Sequence, residues 1–173
     1  MEKYVPDIYK KDIYSINYDN LMTRGIKYLF FDLDNTIAPI FERNSSEEVR
    51  NLFKYLKSKN FKITIVSNSL LNRVRVFADE LKVDYICNAK KPSPKKIMDL
   101  INKNKYTICE IAIIGDSMMD DIVAGNKIGI TTILTDQLTR HEFPFAKIKR
   151  IREKRIQKKL RDNSLFTKGR YYE

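Results

Sequence analysis

Long hydrophobic runs are absent from this chain, and cysteine is scarce. The longest uncharged stretches, residues 63–72 and 128–135, are short and broken by polar side chains, whereas a membrane span needs about 18 or more apolar residues in succession. A transmembrane protein is therefore excluded. The first residues, Met1-Glu2-Lys3-Tyr4-Val5-Pro6-Asp7, carry acids and no apolar core of the kind a secretory leader uses. The expected location is cytoplasmic. Cys87 and Cys109 are too few and too far apart for a disulfide framework or a zinc site, and each is expected to pack as a small apolar residue.

With 43% hydrophobic and 32% charged residues, the 173-residue chain has the composition of one globular domain with a sizeable core. A formal net charge of +11 invites a nucleic-acid reading. Its distribution says more. Residues 140–173 hold 12 Lys/Arg against 4 Asp/Glu, net +8, which leaves 21 against 18, or +3, for residues 1–139. A general bias towards lysine would raise the charge everywhere and does not account for six of eleven arginines in the last 34 residues. The expected organisation is a body over 1–139, including an N-terminal lead-in, and a basic helical tail over 140–173.

Within the body, apolar runs alternate with amphipathic ones. Residues 27–33 (KYLFFDL) form an aromatic-rich run bounded by Gly25 and Asp34-Asn35, which predicts a buried strand. Ser45 and Glu48 have capping-box spacing, and Val49, Leu52, Phe53 and Leu56 follow at helical spacing, so 46–59 is predicted helical. The same reading gives strands at 61–66, 83–87, 111–114 and 130–134, with helices at 71–82, 94–104 and 118–128. Five strands alternating with helices predict an α/β fold with a doubly wound, mainly parallel five-stranded sheet. In such sheets ligands sit beyond the carboxyl ends of the strands.

Those ends carry chemistry. Asp32 and Asp34 follow the first strand, Ser67 and Asn68 the second, Lys90 and Lys91 the third, and Asp116 the fourth. Alternation along a strand puts Asp32 and Asp34 on the same side of the pleat. Neighbouring carboxylates repel unless a cation or proton intervenes. Mg²⁺ suits such a place because it takes hard oxygen ligands from one or two carboxylates, water and phosphate. A hydroxyl, backbone amides and a lysine nearby can stabilise the charge that a transferring phosphoryl group spreads over its oxygens.

Asp32-Leu33-Asp34-Asn35-Thr36, then Ser67, then Lys91 before Pro92, then Gly115-Asp116 with Asp121, resembles the four ordered motifs of the haloacid dehalogenase (HAD) superfamily of phosphatases. The resemblance implies a HAD-like Rossmannoid fold. It implies that Asp32 is the nucleophile and that Asp34 is the acid and then the base. Mg²⁺ would lie between the Asp32 side chain, the Asp34 carbonyl and Asp116. Ser67, Asn68 and Lys91 would hold phosphate, with Thr36 and Asp121 in support. Lys91 is preferred to Lys90 because the family's lysine precedes this proline, and Asp121 to Asp120 because the four-residue gap after Asp116 matches.

The spacing leaves no room for a cap domain after Thr36 or between Ser67 and Lys91. An open, capless site favours a phosphate on a macromolecule or on a lipid. The tail bears on the choice: over 143–161 the apolar Phe145, Ile148, Ile151, Ile156 and Leu160 share a helix with Lys149, Arg152, Arg155 and Lys159. Near an anionic leaflet each such charge contributes on the order of 1 kcal/mol, and nucleic-acid phosphates would attract it too. Pro6-Asp7-Ile8-Tyr9, Ile13-Tyr14, Gly25-Ile26-Lys27, Asn68, Ala89-Lys90-Lys91-Pro92, Gly125-Asn126, Gly129 and the tail together resemble the YqeG family of class IIIA HAD phosphatases. Ser117-Met118-Met119 departs from that pattern. This resemblance implies hydrolysis of phosphatidylglycerophosphate at the cytoplasmic membrane face. The rival readings are a phosphatase of soluble metabolites or nucleic-acid ends, and a non-catalytic RNA-binding module.

Overall fold

A computed structural model describes residues 1–139 and 144–173 and, within the last helix, side chains from Ile151 onward. Its framework is a parallel sheet of β1 (Ile8–Lys10), β2 (Tyr28–Phe31), β3 (Lys62–Val66), β4 (Asp84–Ile86), β5 (Ile111–Gly115) and β6 (Thr131–Thr135), in the order β1-β6-β5-β2-β3-β4. The helices are α1 (Tyr18–Thr23), α2 (Glu47–Ser58), α3 (Leu71–Leu81), α4 (Lys95–Asn104), α5 (Val123–Ile128) and α6 (Pro144–Asp162).

Alternation along β2 sends Leu29 and Phe31 to one face and Phe30 to the other. The first face packs with Val49, Phe53 and Leu56 of α2 and Val74, Phe77 and Leu81 of α3. The second packs with Ile97 and Ile101 of α4 and Ala124 of α5. Both faces of the sheet are covered, as a parallel sheet requires.

The sheet has six strands rather than five. The additional strand, β1, joins β6 through Ile8 opposite Ile133, and three residues are too few to display a period of two. The cap of α2 also differs from the expected one. Ser46 accepts from the Val49 amide at 3.3 Å, while Ser45 is buried and turns its amide and hydroxyl to Glu80 of α3, both at 2.7 Å. Residues 118–128 are not one α-helix: a π-helical turn, Met118–Ile122, precedes α5. Cys87 packs against the core, but Cys109 is exposed.

The chain's last segment returns to the body. Leu160 and Phe166 are buried with Tyr9, Met118, Ile122 and Leu134. Tyr172 forms a bridge to Tyr9 of β1. Ile151 is exposed, and Phe143, Phe145 and Ile148 lie outside the described residues and side chains. Among the described residues no helix is long and apolar enough to cross a membrane.

Candidate active site

Strand order reverses between β2 and β5, and the crevice beyond their carboxyl ends is where a doubly wound sheet admits a ligand. Asp32 follows β2 and is fixed there by its amide, which donates to the Ile114 carbonyl at 2.8 Å. Asp116 follows β5, and Ser67 follows β3. All three line a cavity of about 160 Å³.

Oxygens of Asp32, Asp116 and Asp121 lie within 4.8 Å of one another. Lys91, itself buried, donates from Nζ to Asp32 at 2.7 Å, to Asp121 at 2.5 Å and to the Val66 carbonyl at 2.6 Å. Three carboxylates against one ammonium leave a formal charge of −2 in a region shielded from water. Burial pushes the Asp32 carboxyl up to about 7; Lys91 opposes this, and Asp121 and Asp34 add to it. Burial, then Asp32 and Asp121, raise Asp116 well above the carboxylate range. Lys91 would be lowered by burial, but Asp121 and Asp32 outweigh it and hold the ammonium above its ordinary value. Oxygen donors with this excess negative charge fit a small divalent cation.

The π-helical turn supplies Asp121. Ser117 caps it by accepting from the Asp120 amide at 3.2 Å, and the Ser117 amide donates to Asp121 Oδ2 at 3.1 Å. Gly115 makes room for that carboxylate: a Cβ there would stand 2.2 Å from Asp121 Cγ. Single π-turns inside helices recur at functional sites.

Asp34 lines the same cavity but stands outside the Asp32–Asp116–Asp121 cluster. Its carboxylate accepts from Ser69 Oγ and, at 2.6 Å, from Arg73 Nε of α3. Arg73 Nη2 also donates to the Pro39 carbonyl at 3.0 Å, tying α3 to the loop after β2. Asn68 braces the lysine: its Oδ1 accepts from the Lys91 amide at 2.7 Å and its Nδ2 donates to the Lys91 carbonyl at 3.1 Å. Ser67 is buried at the cavity wall and accepts from the Ser69 amide at 3.1 Å, and Thr36 reaches Asp32 at 3.4 Å. Of the two paired alternatives, Lys91 and Asp121 are the buried members; Lys90 is exposed, and Asp120 stands at the rim.

Four residues at the site were not foreseen from the sequence. Ser69 and Arg73 carry no motif signal. Gln137, which donates to Asp116 at 2.8 Å, lies just past β6, where the same strand-end rule would have found it. Glu153 comes from α6 and accepts from the Met118 amide at 3.1 Å. It is the only acid in residues 144–161, a signal visible in the sequence.

A parallel sheet with a buried, anionic, lysine-bridged carboxylate cluster at its switch point fits a hydrolase of the HAD type. Residues 88–142 match the HAD-hydrolase-like family model. That match and the named relatives support a phosphatase of the HAD type. It is 29% identical over 153 residues to the probable phosphatase YqeG of Bacillus subtilis, covering 88% of this chain and 89% of that protein. It is 26% identical over 156 residues to phosphatidylglycerophosphate phosphatase 1, chloroplastic/mitochondrial, of Arabidopsis thaliana, covering 82% of this chain and 43% of the plant protein. The chain thus spans less than half of that relative. In fold it is similar to the cobalt-bound deoxy-D-mannose-octulosonate 8-phosphate phosphatase of Haemophilus influenzae, with TM-score 0.51, 15% identity, and 66% of this chain and 80% of that chain covered.

Proposed function

We propose that the protein is a Mg²⁺-dependent phosphomonoesterase that removes the terminal phosphate of phosphatidylglycerophosphate at an anionic membrane face. The observation that carries the chemistry is the Asp32–Lys91–Asp121 bridge with Asp116 beside it. The lipid substrate is supported by the plant relative's name, by the open site and by the basic face of α6.

Asp32, Asp116 and Asp121 would hold Mg²⁺, which when bound supplies positive charge opposite the phosphoryl oxygens. Ser67 and Lys91 orient those oxygens. Asp32 attacks phosphorus while the bond to the leaving oxygen breaks, and Asp34, which takes up a proton from solvent as its pair with Arg73 opens, delivers that proton to the leaving oxygen. Asp34, now ionised, takes a proton from the water that attacks the aspartyl phosphate, releasing inorganic phosphate and restoring Asp32. Ser69 and Arg73 orient Asp34 for both steps.

The deciding assay is phosphate release from phosphatidylglycerophosphate in liposomes with Mg²⁺, against a panel of sugar phosphates. Cleavage of the soluble esters alone would remove the lipid reading. Asp32→Asn should lower turnover by at least about a thousandfold, since the nucleophile is lost, with the fold retained by circular dichroism.

A further inference from the structure

α6 docks on the body through Ile156 and Leu160, which pack with Tyr9, Met118, Ile122 and Leu134. Glu153 stands three and seven residues before them in the chain, so the helical repeat sets its carboxylate on the same docked face. It is only 8% exposed. A charge on a buried, largely apolar face is costly to hold unless an opposite charge lies within reach. Its Oε1 accepts from the Met118 amide at 3.1 Å, and Met118 opens the π-helical turn that carries Asp121. The carboxylate also lines the active-site cavity with Asp32, Asp116 and Asp121. It stands outside the group those three form, whose oxygens lie within 4.8 Å of one another, so it acts from behind them and not as a ligand. With Glu153 there are four carboxylates against the one Lys91 ammonium.

We infer that Glu153 is a positioning residue of the metal centre: α6 brings its negative charge up behind Asp116 and holds the start of the π-helical turn, and both favour a divalent cation between Asp32, Asp116 and Asp121. This rests on the metal-dependent reading above and adds to it a residue from the basic tail. The reason lies in the sign of the charges. Without a cation, Glu153 repels the three carboxylates, and its charge is one of those that raise Asp116. With a cation in place, the same charge attracts an ion carrying twice the charge of any one carboxylate. Groups behind a metal's ligands typically change its affinity by about 10–100-fold. The two faces of α6 then have separate roles. The exposed face carries cations, and the docked face carries the acid that completes the metal centre of a capless body.

The test is calorimetric titration of the full, metal-free chain with Mg²⁺ alone, at a temperature where every variant is folded by circular dichroism. Glu153→Gln keeps an acceptor for the Met118 amide and loses the charge. It should weaken Mg²⁺ binding about tenfold and melt in EDTA no lower than wild type, because the repulsion is relieved. Glu153→Asp keeps the charge and should bind Mg²⁺ more tightly than Glu153→Gln. Leu160→Ala loosens the docking of α6 without altering any charge, and should lose stability while keeping its Mg²⁺ affinity. Wild-type Mg²⁺ affinity in Glu153→Gln overturns the inference. An equal loss of affinity in Leu160→Ala overturns it as well, and so does a metal-free melting point lowered as far in Glu153→Gln as in Leu160→Ala, since either result leaves Glu153 a part of the docking alone. A wild type that takes up no Mg²⁺ removes the metal-dependent reading itself, an outcome distinct from unchanged affinity in the variant.

Discussion

At the scale of single residues, the site is governed by charges that water cannot reach. Asp32 rises from an ordinary 3.8 to about 7, with burial as the main cause. Asp116 rises as well. Between pH 4 and 7 the folded state therefore binds more protons than the unfolded chain, so these two groups make stability fall as pH rises through that window. Lys91 is raised, so it stays charged throughout the window and does not reverse the sign. The melting temperature of the metal-free protein should accordingly drop from pH 6 to pH 8. A divalent cation competes with those protons, so stabilisation by Mg²⁺ should be larger at pH 8 than at pH 6. Scanning fluorimetry with EDTA or Mg²⁺ at both pH values measures this, and an equal Mg²⁺ effect at both would contradict it.

At the scale of elements, short turns place the reactive groups. Gly115 ends β5 and has no Cβ, which lets the π-helical turn fold Asp121 back against the strand. Gly115→Ala forces either the carboxylate or the strand to move. It should cost about 1–3 kcal/mol, as overpacking does, and should reduce Mg²⁺ affinity, both measurable by titration in the melting assay. Asn35 adopts a left-handed backbone with φ of 63°, which asparagine tolerates better than most residues. Its side chain accepts from Thr139 Oγ1 at 2.8 Å, joining the loop after β2 to the segment after β6. The Asp32-to-Thr36 run was legible as a motif. The segment that clasps it was not, because a contact over 104 residues of sequence leaves no local pattern.

At the scale of the whole molecule, the basic tail is also a structural part. Leu160 is fully buried against Tyr9, Met118 and Ile122. Leu160→Ala should destabilise the protein by about 2–5 kcal/mol, read from the urea midpoint. Deleting 144–173 would uncover the same cluster and remove Glu153 from the site. Neutralising exposed lysines is thus the cleaner way to ask what the tail's charge does. The amino-acid sequence alone determined the alternation of strands and helices, the order of the four motifs and the segregation of charge into the last 34 residues, because each is written in local spacing and composition. Tertiary structure decided the rest. It turned Lys91 and Asp121 inward, left Lys90 exposed and Asp120 at the rim, directed Asp34 to Ser69 and Arg73, and brought Glu153 beside Asp116. Those outcomes depend on which side chains lose their water when distant segments meet, and that is a property of the packed chain.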